Sequence, residues 1–354
     1  MANFQKIKIL VLFSSSDIGG AERSLSRMAL SNKDDSISYQ LSTFGNHGSW
    51  SEWVLNLNGT PICFNHSAWK LIKYVYKEKP DIVYIIGFRL SVLFRIIKGF
   101  LPKMHLVQGI RWNPDSNVML DKTFRFVERL FGFLLDGYIV NSNSARQSLH
   151  KLVNKNVELI YNGIADIQEV NLKKSNNKNI ITVANLSARK GYEDYLRAIA
   201  IVIKKVPESQ FLFIGKDNLN GKIQQIIIDN NLENNVQYLG FQKKIDVLLE
   251  DSAVFVLPSL YGEGCPTSIL EAFAFSLPVV AYQIDGIPEL VEDGVDGLLF
   301  DAGNVKALAE GIISLLLDPE KSRIMGISGH QKVKDYFLLD DMVKKHNDYF
   351  LRLK

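Results

Sequence analysis

Cysteine is scarce in this chain, with Cys63 and Cys265 the only two in 354 residues. That excludes a disulfide framework and makes a reducing compartment, the cytoplasm, the default expectation. No stretch approaches the roughly 20 uninterrupted apolar residues of a spanning helix. The apolar run near the N-terminus is too short for a signal peptide with a cleavage site and reads as a first strand. A Gly-x-Gly-x-x-Gly dinucleotide fingerprint is missing, and so is any Asp-x-Asp pair of the kind that holds a divalent metal. The basic residues are scattered and come with no recognition motif, which leaves nucleic acid without support as a partner.

What is present is a globular composition, 47% hydrophobic and 22% charged, on a chain long enough for two domains of typical size. The overall charge of +3 hides an asymmetry. Residues 1–165 hold 20 Lys/Arg against 12 Asp/Glu, and residues 166–354 hold 21 against 26. Anionic partners are therefore expected of the first half only.

In the first half, strands are expected at residues 6–14, 39–43, 62–64, 82–86, 105–108, 137–140 and 157–162, with helices between several of them. Such βαβ alternation predicts a doubly wound parallel sheet. Gly19 and Gly20 mark the first strand-to-helix turn, where small residues let backbone N–H groups approach a phosphate. Two segments, 88–103 and 124–135, mix Phe, Leu and Ile with Arg and Lys. That composition fits a helix lying in a membrane interface, and better a core helix with a basic outer edge. A polar run at 173–179 marks the boundary between the halves.

The second half restarts with a strand at 180–184 and a turn, Asn-Leu-Ser-Ala-Arg-Lys-Gly, at 185–191. Lys190, ahead of a glycine at a strand-to-helix turn, suits an anion, with Arg189 beside it. Strands at 211–215 and 236–241 end near Gly215, Gly240 and Phe241. An apolar strand at 253–257 leads into Ser-Leu-Tyr-Gly-Glu-Gly-Cys-Pro-Thr-Ser-Ile-Leu-Glu, residues 259–271. A strand, a Gly-rich turn and a helix N-terminus make an anion site, because free N–H groups and the helix dipole point at the turn. Glu263 in the turn and Glu271 in the helix are spaced to face one bound molecule.

The run from Glu263 through Glu271 continues into Pro-Val-Val-Ala (278–281) and Asp-Gly-Ile-Pro-Glu (285–289). With the Gly-Gly-Ala-Glu-Arg run at 19–23 it resembles retaining glycosyltransferases of family 4, and the resemblance extends over nearly the whole chain. It implies an α/β GT-B fold: two Rossmann-like doubly wound domains, 1–165 and 166–335, facing a central cleft, with a C-terminal helix from about 336 returning to the first. It implies a nucleotide-diphosphate sugar, a UDP-sugar first of all, as co-substrate, with no separate cofactor and no metal. The acceptor would be a saccharide or lipid-linked saccharide, and the site cytoplasmic, with peripheral contact at the inner membrane face.

By family position, Lys190 and Arg189 would grip the donor diphosphate. Asn185 stands where an arginine is usual, and Arg189 would substitute for it. Glu263 would lie near the transferred sugar, and Glu271 would hold the ribose hydroxyls. Gly19, Gly20, Gly264, Cys265, Pro266 and Thr267 would line the donor site, and Gly215, Gly240 and Phe241 would border the base. Gln108, where a histidine is common, and Arg111 would meet the acceptor. Two other classes fit the same architecture: a non-catalytic sugar-nucleotide-binding partner, and a sugar-nucleotide epimerase, whose catalytic acids are not found.

Overall fold

The computed structural model describes residues 6–115, 119–165, 167 and 178–354. The chain divides into two compact units, Met1–Ala165 with Leu339–Lys354, and Asp166–Leu338. Most of the polar run at 173–179 lies outside the described residues.

The first unit is built on β1 (Ile7–Phe13), β2 (Ile37–Thr43), β3 (Ile62–Cys63), β4 (Ile82–Ile86), β5 (His105–Ile110), β6 (Gly137–Val140) and β7 (Val157–Leu159). They pair in parallel in the order β3-β2-β1-β4-β5-β6-β7. The run Ile-Val-Tyr-Ile-Ile of β4 is buried throughout, as a strand covered by helices on both faces must be. Two apolar clusters flank the sheet. One, around Phe13, Trp50 and Tyr84, takes in Met342, Val343, Tyr349 and Phe350 of the last helix, Leu339–Leu353. The other lies around Phe94, Phe124 and Tyr138.

The second unit repeats the plan with β8 (Asn179–Val183), β9 (Gln210–Ile214), β10 (Val236–Tyr238), β11 (Val254–Leu257), β12 (Val279–Tyr282) and β13 (Gly297–Phe300). The order is β10-β9-β8-β11-β12-β13, again parallel. The helix Tyr192–Lys205 shows why the layers form. Tyr195, Leu196, Ile199 and Val202 recur every three or four residues and are buried, while Glu193 and Asp194 open the helix and Lys204 and Lys205 close it. The apolar stripe seeks the sheet and the charges suit the helix dipole.

In each sheet the chain winds outward in one direction from the first strand and then in the other from the fourth. The carboxyl edge beside those two central strands is the usual place for a ligand in such sheets. In the second unit those strands are β8 and β11.

Candidate functional site

The loops after β8 and β11 meet through a buried polar group. After β8 the chain makes a 3-10 turn, Ala188–Lys190, and enters its helix through Gly191 at φ 66°. A Cβ at that position would run into the carbonyl of Pro258, so glycine is required where the two loops touch. The Leu260 N–H donates to the Arg189 carbonyl at 2.8 Å. This tie puts the side chains of Arg189 and Lys190 against the turn after β11.

Three donors converge on one oxygen of Glu263. The Lys190 ammonium donates to Oε1, Ser259 Oγ donates to the same atom at 2.6 Å, and Arg189 Nη1 stands 3.4 Å from it while donating to the Gly262 carbonyl at 3.0 Å. Glu263 and Lys190 keep only 5% and 8% of their surface exposed, so these bonds act in a medium where charge interactions are strong. Burial by itself would raise the Glu263 pKa; the charges of Lys190 and Arg189, with the hydrogen bonds from Lys190 and Ser259, outweigh it and hold the carboxyl below its ordinary range. Burial draws the Lys190 ammonium below its ordinary value, the Arg189 charge adds to that, and Glu263 opposes it. Glu263 is therefore held as a carboxylate, with the Lys190 ammonium as its nearest partner.

The backbone of the turn is held by a residue that local sequence reading passed over. Asp285, in the loop after β12, accepts the N–H groups of Gly262 at 2.6 Å and Glu263 at 3.1 Å. It does so from the left-handed region, at φ 47°, opposite Gly262 at φ 79°. It opens the Asp-Gly-Ile-Pro-Glu run of the family resemblance, and locally it is a short polar residue before glycine, a combination that tolerates such backbone.

The turn then feeds the helix Thr267–Ala274, with Pro266 as its N-cap. Ile269, Leu270, Ala272 and Phe273 hold that helix in the core, leaving Glu271 half-buried. Gly264 and Cys265 are buried, and Pro266 and Thr267 are partly open. The helix's first N–H groups have no carbonyl of their own helix to bond.

Other expected residues sit along the same carboxyl edge. Asn185 Oδ1 accepts the Lys216 N–H at 3.0 Å, so this side chain braces the loops after β8 and β9. The Gly215 N–H donates to the Gly240 carbonyl at 3.0 Å, and Phe241 follows with its ring exposed.

In the first unit, Gly19 caps the helix Gly20–Leu30 from an extended conformation. Glu22 folds its carboxylate back over that helix start. Burial raises its pKa against the pull of the Glu22 and Gly19 N–H groups, so those amides already face a carboxylate. Arg111 donates to Tyr84 Oη at 2.8 Å and to Asn162 Oδ1 at 3.2 Å.

Gln108 corrects the expectation of an acceptor contact. It is fully buried, and its Oε1 accepts from Ser91 Oγ and Arg95 Nη2, each at 2.7 Å. Arg95 in turn pairs with buried Glu128, which accepts the Tyr138 hydroxyl. Side chains alternate along β5, and this one points into the helix layer, where it ties helices to the sheet.

Residues 164–332 match the family model of glycosyl transferases group 1. The match takes in nearly all of the second unit, including Arg189, Lys190, Glu263 and Glu271. The amylovoran biosynthesis glycosyltransferase AmsK of Erwinia amylovora is 35% identical over 143 residues, 38% of this chain and 35% of its own. The UDP-Gal:alpha-D-GlcNAc-diphosphoundecaprenol alpha-1,3-galactosyltransferase of Escherichia coli is 26% identical over 306 residues, 80% of this chain and 78% of its own. The chain spans 56%, 35% and 58% of the length of the first three curated relatives, so what the whole protein does must be argued from the site. The crystal structure of Anabaena HepE in complex with UDP and glucose superposes with a TM-score of 0.84 over 98% of this chain and all of that one, at 22% identity. That likeness is one of fold. The fold is GT-B, with two Rossmann-like parallel-sheet domains.

Proposed function

We propose that this chain is a retaining, metal-independent glycosyltransferase of family 4. It moves a sugar from a nucleotide-diphosphate sugar, a UDP-sugar first of all, to an acceptor hydroxyl during assembly of a bacterial surface polysaccharide. The observation that carries this reading is the buried group of Lys190, Ser259 and Glu263, with the half-exposed Arg189 beside it, at the switch point of the second sheet. Two cations and one ionised carboxylate leave a positive balance beside a helix N-terminus, with Lys190 and Glu263 shielded from solvent.

The costly part of glycosyl transfer is the charge that builds on the departing diphosphate. Fixed cations and N–H groups aimed at it stabilise that charge more in the transition state than in the ground state. Lys190, Arg189 and the 264–267 turn take this role without a metal, and no cofactor takes part beyond the donor itself. Glu263, anchored through Oε1, faces the transferred sugar with its other oxygen. Glu271 holds the ribose hydroxyls, while Gly215, Gly240 and Phe241 border the base. In the first unit, Arg111 serves the acceptor.

The names of the relatives favour polysaccharide assembly, amylovoran in one and a diphosphoundecaprenol-linked sugar in another. A saccharide or lipid-linked saccharide is the acceptor in this reading, met in the cytoplasm at the inner membrane face. The test is transfer from labelled UDP-sugars to such acceptors, with the product's anomeric configuration read by NMR. Glu263→Ala should remove most transfer, whereas Glu271→Ala should raise the donor KM and leave kcat largely intact. An unchanged donor KM in the second variant contradicts this division of roles, and an inverted product contradicts retention.

A further inference from the structure

Two neighbouring helices of the first unit present an apolar surface that the transfer reaction does not use. Helix Phe88–Ile97, with its 3-10 extension Lys98–Phe100, lies beside helix Met119–Phe131, with its extension Gly132–Leu134. Arg95 reaches Glu128 at 2.6 Å, Lys98 Nζ donates to the Leu134 carbonyl at 2.8 Å, and the Phe88 and Phe124 rings meet edge to face at 5.4 Å. Leu90, Phe94 and Phe124 fill the core on the inward side.

On the outward side stand Ile96, Phe100, Phe126, Leu130, Phe131 and Phe133, with Ile96 71%, Phe100 79%, Phe126 64% and Phe133 67% exposed. Single exposed apolar residues are ordinary, but six large ones on one pair of helices are not. Lys98 and Arg125 pair with Asp136 and Asp115 just outside the helices, and the charge that the helices themselves expose is positive. Asp121 and Glu128, the acids of these two segments, are buried, while Arg89, Lys98, Lys122, Arg125 and Arg129 reach solvent wholly or in part. Aromatic tips within a ring of cations match a bilayer interface, where rings enter the headgroup zone and Lys and Arg meet lipid phosphates.

We propose that this face docks the protein on an anionic lipid bilayer, with Phe100, Phe126 and Phe133 as the inserted anchors. The inference deepens the lipid-linked acceptor reading, and it is tested by a binding readout that needs no transfer.

The full chain is sedimented with vesicles of phosphatidylcholine alone and of equimolar phosphatidylcholine and phosphatidylglycerol. It should pellet with the mixed vesicles, more weakly with the neutral ones, and less as salt is raised. Phe126→Ser with Phe133→Ser should cut partitioning by about tenfold or more, from the apolar area withdrawn. Lys122→Glu with Arg129→Glu should remove the preference for the anionic lipid. Both pairs sit on the surface, so an unchanged circular dichroism melt confirms that the fold is intact. Failure of the wild-type chain to bind mixed vesicles overturns the proposal, as does binding that the serine pair leaves untouched. Self-association in ultracentrifugation that the serine pair abolishes, without vesicle binding, would assign the face to a second copy instead. Donor-induced stabilisation in the same variants separates the two claims: vesicle binding without any donor response sinks the transferase reading alone.

Discussion

Replacing Glu263 by glutamine removes the charge that Lys190 is paired with and leaves the ammonium buried, with only 8% of its surface exposed. Breaking a buried pair from one side costs about 3–5 kcal/mol. The escape route sets a ceiling, because Lys190 can release its proton, which costs an ordinary lysine about 5 kcal/mol at pH 7. Lys190→Met should cost less. Glu263 would keep Ser259 and Arg189, and protonation offers a carboxylate an escape at about 3–4 kcal/mol. For a unit of this size the glutamine variant should lower Tm by about 6–20 °C. Glu263→Leu combined with Lys190→Met should recover most of the loss, while transfer stays abolished. Trp50, Trp53, Trp69 and Trp112 all belong to the first unit. Urea melts followed by circular dichroism report both units and tryptophan fluorescence only the first, so the loss should appear in the circular dichroism melt while the fluorescence melt, an internal control, does not move. A loss under about 1 kcal/mol for Glu263→Gln, or a larger one for Lys190→Met, would refute a buried ionised pair.

Two further outcomes follow from the same site. Asp285→Ala removes the acceptor for the Gly262 and Glu263 N–H groups; kcat should fall at least tenfold with little change in donor KM, whereas Asp285→Asn, which keeps a side-chain oxygen, should recover part of it. For pH, the folded carboxyl of Glu263 titrates below its ordinary value of 4.5, so its stabilisation is full above that value and is lost as pH falls through the folded one. Glu263→Gln should lack this acid limb in melts of the second unit. On the alkaline side, transfer should decline before the ordinary lysine value of 10.5 is reached, because burial lowers Lys190.

The strands expected at residues 82–86 and 137–140 are found at those bounds, because buried parallel strands are continuous apolar runs that end abruptly. β5 runs two residues past its expected end, through Gly109 to Ile110. Pairing with β4 on one side and β6 on the other outweighs the weak strand preference of glycine. Lys190 and Glu263 were singled out because the family resemblance covers the turns they stand in. Asp285 was not, since its partners lie across a helix and a strand and nothing local signals them. Gln108 failed for a related reason. Its face is set by Arg95 and Glu128, charged residues inside apolar segments that composition assigns to an outer edge and the fold buries. For 88–103 and 124–135, composition left core and interface open. The helices place an inner face in the core, and their outer face carries exposed rings.

The most direct test of the account is thermal stabilisation of the purified chain by a panel of nucleotide-diphosphate sugars, without acceptor. A shift with one UDP-sugar, of about 3 kcal/mol in stability at a hundred times its Kd and lost in Glu271→Ala, is the predicted result. No shift with any UDP-sugar or with free UDP would contradict a donor site at Lys190 and Glu263.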